Sequence, residues 1–361
     1  MHVRHNMLSA LLLAALLAMP VAVAADDGIR GLYEAELRVP DQSLGERQAA
    51  LRAGLGHVMT RITGRQYVVH PGLGDALADA ERYVQQFRYS SEEGRITLWA
   101  RYDEGAINRL LEEHGLPVWG RVRPRTLAWI AVDDGVEGLL LDSQSDHRVR
   151  ELVDGRARLR GMPLRWPLMD LDDSRRIRLS DVRAGHEPVI EAASRRYAPE
   201  AILVGRVERD PEWGGWQAHW RLLGVGEPRR WTTFGALLAE ALDAGVDQTF
   251  ASLAAAYVGA GEGADEGLVE LAVSGITRLE DYVRVRDYLE GLSDVRHVTV
   301  SRVESGRAVF AISPRGDRGN VARTIALGGT LLPDGTGSSV EGAAGLPMGE
   351  GPVRLDYRFL P

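Results

Sequence analysis

Two short apolar runs set the tightest limit on what this chain folds into. "TLAWIAV", Thr126 to Val132, and "AILVGRV", Ala201 to Val207, are short, apolar and rich in β-formers. Strands of that kind are buried on both faces, so helices must cover the sheet that holds them. Helical patterns lie between them, one between Ser145 and Arg160 and another around Asp181 to Tyr197. "PLRWPLMDL" reads as a further strand that Pro167 ends early or pushes to an edge. Strands alternating with helices predict a parallel or mixed sheet with helices packed on it. Two antiparallel strands follow, "GWQAHWRLL" and "PRRWTTFG". A helix with Leu238, Leu242, Val246, Phe250, Leu253 and Tyr257 then closes the segment.

A chain of 361 residues holds more than this one unit. Ahead of it, "IRGLYEAELRV" reads as a strand, with Leu32, Ala35, Leu37 and Val39 inward. Ser43, three residues before Glu46, starts a helix whose stripe is Leu51, Leu55, Val58, Met59 and Ile62, and Gly64 ends it. A second helix is expected from about Leu73 to Phe87, then the strand "GRITLWARY", then a short helix capped by Asp103. Behind the central unit, "GAGEGADEG" reads as a flexible linker. The order after it is ferredoxin-like, βαββαβ, interrupted by a Gly-rich loop at 334–352. The expectation is therefore a multidomain α+β and α/β chain. It divides into a signal peptide over 1–25, an N-terminal β-α-α-β-α domain over 27–117 and a middle α/β domain over 118–258. A linker over 259–267 and a C-terminal ferredoxin-like domain over 268–361 complete it.

"MHVRHNMLSALLLAALLAMPVAVAADD" has a basic head with Arg4, an apolar run from Leu8 to Met19 and small residues before Ala24 and Ala25. That is the pattern of a cleaved export signal, and the run is short for a bilayer span. No later stretch is long and apolar enough for a transmembrane helix, so the expected location is periplasmic and soluble.

Composition removes whole classes of chemistry. There is no cysteine, which excludes disulfides, thiolate nucleophiles and Cys–zinc sites. All 43 basic residues are arginine, so phosphate-loop lysines, Schiff bases and Ser–Lys dyads are absent. A net charge of −8 disfavours nucleic acid as the partner of the whole chain. The histidines are scattered, and His186 beside Glu187 points away from it on a helix. No HExxH or G-x-S-x-G motif occurs.

Three candidate sites stand out. The tryptophans at 213, 216 and 220 suggest an aromatic box, but Trp216, Ala218, Trp220 and Leu222 share one strand face, which favours sheet packing under a helix. Gln217, His219 and Arg221 share the other face. Asp133 and Asp134 close one strand and Asp170, Asp172 and Asp173 close another. Should those strands be parallel neighbours, the carboxylates meet at the sheet's carboxyl edge, where a divalent cation such as Mg²⁺ or Ca²⁺ suits them. Solvated turns and helix caps are the plainer reading, and no cofactor is expected. Trp119, with Arg121, Arg123 and Arg125 alternating after it, is a candidate interface, either for an anion or an acidic partner or as a linker pinned against two domains by one buried tryptophan.

"ALRAGLGHVMTRITGR", "YVQQFRY" and above all "LWARYDEGAINRLLEEHGLPVWGRVRPRTLAWIAV" resemble the domain of unknown function 2066 family of secreted Gram-negative proteins. That resemblance implies an envelope location and carries no established activity or catalytic residues. The middle segment is more loosely similar to the α/β domains of the TolB amino-terminal region and of envelope lipoproteins that act as interaction modules. The expected function is a non-enzymatic periplasmic interaction or scaffold protein with an envelope protein as partner. The alternative is a metal-dependent enzyme or ligand-binding protein using the acidic strand ends.

Overall fold

The structure is a computed structural model that describes residues 29, 31–65, 71–133, 138–212, 214–257, 268–292, 294–314, 318–334 and 353–361. The expected export signal, the linker at 259–267 and all but Asp334 of the Gly-rich loop lie outside the described residues. The described residues form three separate sheets; the first and third each pack on one buried core, and the middle sheet has a core on each face.

The first sheet is built from β1 (Glu34–Val39), β2 (Val84–Glu92) and β3 (Arg95–Tyr102), antiparallel in the order β1-β3-β2. Helices α1 (Leu44–Thr63), α2 (Gly74–Ala78) and α3 (Glu104–Glu113) complete the unit. Helix α1 starts where Ser43 Oγ accepts from the Glu46 amide, and its stripe Leu51, Leu55, Val58, Met59 and Ile62 is buried. Asp103 caps α3 by accepting from the Ala106 amide at 2.7 Å.

The expected second helix is corrected by the structure. Only α2 and the 3-10 turns at Pro71–Leu73 and Ala80–Tyr83 are helical, and from Val84 the chain is strand β2. Val84 and Phe87 fit a helical stripe, yet Phe87 is 44% exposed. The cause is the turn that follows. Glu93 and Gly94 both take positive φ, at 51° and 77°, as a two-residue primed hairpin turn requires. That turn folds "VQQFRYSSE" back onto β3, and cross-strand pairing outweighs the helical spacing.

The middle unit contains β4 (Thr126–Asp133), β5 (Leu139–Leu140), α4 (Arg148–Arg160), β6 (Leu164–Arg165), α5 (Leu171–Arg176), α6 (Leu179–Ala184), α7 (Glu187–Ser194), β7 (Ala201–Arg209), β8 (Trp216–Leu223), β9 (Arg229–Gly235) and α8 (Leu238–Tyr257). Strand order is β5-β4-β7-β8-β9, with β6 beside β4; β4 and β7 are parallel, and β8 and β9 antiparallel. As the apolar runs demand, β4 is buried on both faces. Ala128, Ile130 and Val132 face α4 and α8, while Leu127, Trp129 and Ala131 face α5–α7. The early end of β6 follows from Pro167, which cannot donate to the ladder.

The third unit contains β10 (Val269–Ile276), α9 (Leu279–Glu290), β11 (Val295–Glu304), β12 (Gly306–Pro314), α10 (Arg318–Leu327), β13 (Leu331–Pro333) and β14 (Val353–Phe359). The βαββαβ order is present with one short strand added. Two interleaved βαβ units leave the last strand antiparallel to the first. Here β13 takes that direction at the edge, and β14 slots between it and β10, parallel to β10.

One strap touches all three cores. Leu116 and Val118 pack in the first, Trp119 in the second and Val122 in the third. The Trp119 amide donates to Ile62 O at the end of α1. Arg123, only 4% exposed, donates to Arg61 O, Trp119 O, Gly120 O, Arg160 O and Gly161 O. It also lies 4.4 Å from the Trp119 ring centre. Those carbonyls include the last ones of α1 and α4, where a helix leaves acceptors unused and carries negative partial charge. Arg61 crosses the same seam the other way, donating to Leu159 O of α4 at 2.9 Å.

Candidate functional site

The middle sheet is covered unevenly. One face lies under α4 and α8. On this side the indole of Trp220 is 1% exposed, and its Nε1 donates to Thr233 Oγ1 at 2.9 Å. A Cβ on Gly245 of α8 would come within 2.2 Å of that ring, so glycine is what lets helix and indole touch. Trp216 packs at the rim of the same core, with the Arg209 guanidinium 5.0 Å from its ring centre. These two tryptophans are sheet packing, and Trp213 lies outside the described residues.

The other face is covered by α5–α7 over β4, Leu140 of β5, the first part of β7 and Leu223 at the end of β8, where Ile202 and Val204 pack with Val182 and Ile190. Past Val204 the face turns polar. Register sets three cross-strand rows: Val204, Arg221 and Arg230; then Arg206, His219 and Thr232; then Glu208, Gln217 and Phe234. Alternation of side chains puts these nine residues on one surface. An open cleft of about 380 Å³ lies there, with Val182 and Arg183 of α6 as its wall. Trp220 and Trp231 meet its floor from behind, since both pack into the α8-side core.

The cleft is dominated by arginine. Arg183, Arg206, Arg221, Arg230 and His219 line it. Asp133 is paired with both Arg183 and Arg206, the latter at 3.1 Å. Glu208 accepts from Arg206 at 2.5 Å and meets His219 Nε2 at 3.2 Å. Glu187, at the start of α7, is paired with Arg230 and lies 3.6 Å from Arg221. Arg221 is itself held by Gly185 O at 2.5 Å, at the end of α6. His219 Nδ1 lies 3.1 Å from Thr232 Oγ1, which fixes the imidazole between a hydroxyl and a carboxylate.

Of the described residues expected from sequence to hold a cation, Asp133 alone lies beside this cleft. Parallel register places it against Glu208 at the carboxyl ends of β4 and β7. Arg206 donates to both carboxylates and so supplies the positive charge that a metal would bring. Asp170 instead caps α5, accepting from the Asp172 and Asp173 amides at 3.0 Å. It pairs with Arg196, whose hydrogen bond holds the carboxyl down at about 2. Asp172 is exposed in the first turn of α5, and Asp173 is fully buried against Arg196, Tyr197 and the Met169 amide. The two strands are parallel neighbours, but β6 pairs with β4 only at Thr126 and Leu127, and the acids go to different arginines. Asp134 lies outside the described residues. Among the described residues no group of three His, Asp or Glu is placed to hold a metal ion.

The residues proposed as an interface divide. Trp119 and Arg123 are buried in the seam, whereas Arg121 is exposed and paired with Glu104 at 2.7 Å. In the seam Trp119 is the buried tryptophan that pins the strap. The cleft itself was half legible: the shared face of Gln217, His219 and Arg221 follows from alternation in β8. Its closure by Arg206, Arg230 and Arg183 needs the strand register and the place where the helical layer stops.

Comparison with known families matches residues 27–120 to a family described as a domain of unknown function (DUF8605). No curated protein matches the chain, and no solved structure does. The match covers the first sheet, α1–α3 and the strap as far as Gly120, and it stops short of the cleft. Among the described residues no helix is long and apolar enough to cross a membrane.

Proposed function

We propose that this is a non-enzymatic interaction protein of the cell envelope that takes its partner at the arginine-lined cleft of the middle sheet. The observation that carries the reading is the uncovered end of one sheet face, where four arginines and a histidine gather around an open cavity. A face that only had to be solvated would not need guanidiniums brought in from α6, β7, β8 and β9 together. Export through the leader and kinship with the domain of unknown function 2066 family belong to the same reading. Their support is the amino-terminal pattern and the "GLPVWGRVRP" block. Interaction modules of this kind present charged and aromatic side chains from a rigid sheet, with affinity set by a few residues.

A photo-crosslinking amino acid at Thr232, exposed in the cleft, tests this in intact envelopes. The expected result is a discrete covalent adduct from position 232 and none from position 290 on α9, which is also exposed. No adduct at 232, or the same adducts at both positions, removes the reading.

A further inference from the structure

We infer that the cleft recognises an acidic protein segment that also carries an apolar side chain. This rests on the reading of the cleft as a partner site and names the chemistry of that partner. Three observations lead there.

First, the guanidiniums are not fully used. Among the described residues Arg230 gives one N–H group to Glu187 and Arg183 gives one to Asp133. An arginine has five N–H donors in a fork that matches a carboxylate two at a time. Among the described residues three carboxylates, Asp133, Glu187 and Glu208, face four guanidiniums, so an incoming carboxylate meets surplus donors and surplus positive charge there. Second, the residue that closes the third row on the same face is Phe234, 56% exposed beside these charges. An exposed aromatic ring at the end of a basic trough suits a segment with both acidic and apolar side chains. Third, the cleft lies open across three strands. Small-molecule sites enclose most of their ligand, whereas a shallow trough suits a chain laid over it. Neighbouring strands are about 5 Å apart, a spacing that carboxylates on nearby residues of one segment reach. The chain's net charge of −8 repels acidic partners in general. Binding therefore rests on local contact at this trough, and a segment without the matching pattern is rejected.

The test is fluorescence anisotropy with a labelled Glu-rich peptide containing one Phe, titrated with the full chain. Its comparators are the same peptide with Gln for Glu, the same peptide with Ser for Phe, and inorganic phosphate as a competitor at matched ionic strength. The Glu peptide is expected to bind, with the Gln version about tenfold weaker or worse, as loss of close charge pairs dictates. Arg230→Glu and Arg230→Gln are each expected to weaken the Glu peptide by about tenfold or more, by the same loss of charge pairing, while leaving the circular dichroism melt in place. Phe234→Ser and the Ser peptide should each show a smaller loss. Equal binding of the Gln peptide, indifference to Arg230→Glu, or full displacement by phosphate overturns the proposal; the last outcome marks a small-anion site. A retained crosslink at position 232 with no binding of acidic peptide refutes the ligand class and leaves the partner site standing.

Discussion

Arginine does opposite things in two regions of this molecule. At the seam, Arg123 and Arg61 are buried and spend their donors on backbone carbonyls of α1, α4 and the chain around them. In the cleft, Arg183, Arg206 and Arg230 are partly exposed, are answered by carboxylates, and keep donors in reserve. The acceptor decides the role. Carbonyls at helix ends cannot move or leave, so a guanidinium among them is a fastening. Carboxylates at an exposed surface can be exchanged for a partner's, so a guanidinium among them is available for recognition. Burial, then the charge of neighbouring Arg61, pulls the Arg123 guanidinium down to about 9, which still leaves it charged at neutral pH.

The contrast makes its largest prediction at the seam. Arg123→Met leaves five carbonyls without their donor and should cost about 3–5 kcal/mol in urea denaturation, as breaking a buried charged network does. Arg123→Lys should recover less than half of that, because a single ammonium cannot span carbonyls on both sides. A loss under about 1 kcal/mol, the scale of one ordinary hydrogen bond, would erase the distinction between the two regions.

Next comes Asp247 of α8, 2% exposed and gripped by Arg156 at 2.7 and 2.5 Å and by Arg160 at 2.7 and 2.6 Å. Asp247→Asn should cost about 2–4 kcal/mol by thermal or urea unfolding, since the buried Arg160 and the half-buried Arg156 lose this charge partner. Burial raises this carboxyl, but the hydrogen bonds from Arg156 and Arg160 outweigh it and hold it below its ordinary value. A depressed carboxyl contributes stability that is present above its unfolded pKa and lost as pH falls through the folded one. The acid limb of stability against pH should therefore be shallower in the variant.

Asp294 is the counter-case, an acid 8% exposed that has the Thr324 hydroxyl where Asp247 has two guanidiniums. Burial pushes it up to about 6 against that hydrogen bond. The sign reverses: the folded state is penalised once the group ionises, so this carboxyl lowers stability as pH climbs from about 4, its unfolded range, towards 6. Asp294→Asn should gain about 1–2 kcal/mol at pH 7.5 and nothing near pH 4, measured by melting at both values. No gain at pH 7.5 would show that the hydroxyl compensates the charge fully.

The smallest effect on stability belongs to the cleft. Arg230→Gln removes an exposed pair with Glu187 and should change unfolding by less than about 0.5 kcal/mol. Its consequence should appear only in partner binding. A large destabilisation would place Arg230 with the fastenings.

Local pattern carried much of the architecture. The apolar runs at 126–132 and 201–207 had to be central strands, and Ser43, Asp103 and Gly64 marked helix ends by chemistry that acts within a few residues. Where local signals conflicted, pattern misled. The stripe through Val84 and Phe87 lost to the Glu93–Gly94 turn, because a hairpin satisfies the backbone of both strands at once. The acidic strand ends looked equivalent along the chain, yet register put Asp133 beside Glu208 and left Asp170 to Arg196.

Taken alone, the sequence determined which segments are buried and which chemistries are absent, because apolar periodicity and the lack of cysteine and lysine need no knowledge of distant contacts. Only the tertiary structure decided which arginines fasten and which are available. Whether a guanidinium meets a helix-end carbonyl or an exchangeable carboxylate depends on residues 29 to 98 positions away, set by helix packing at the seam and strand register in the cleft.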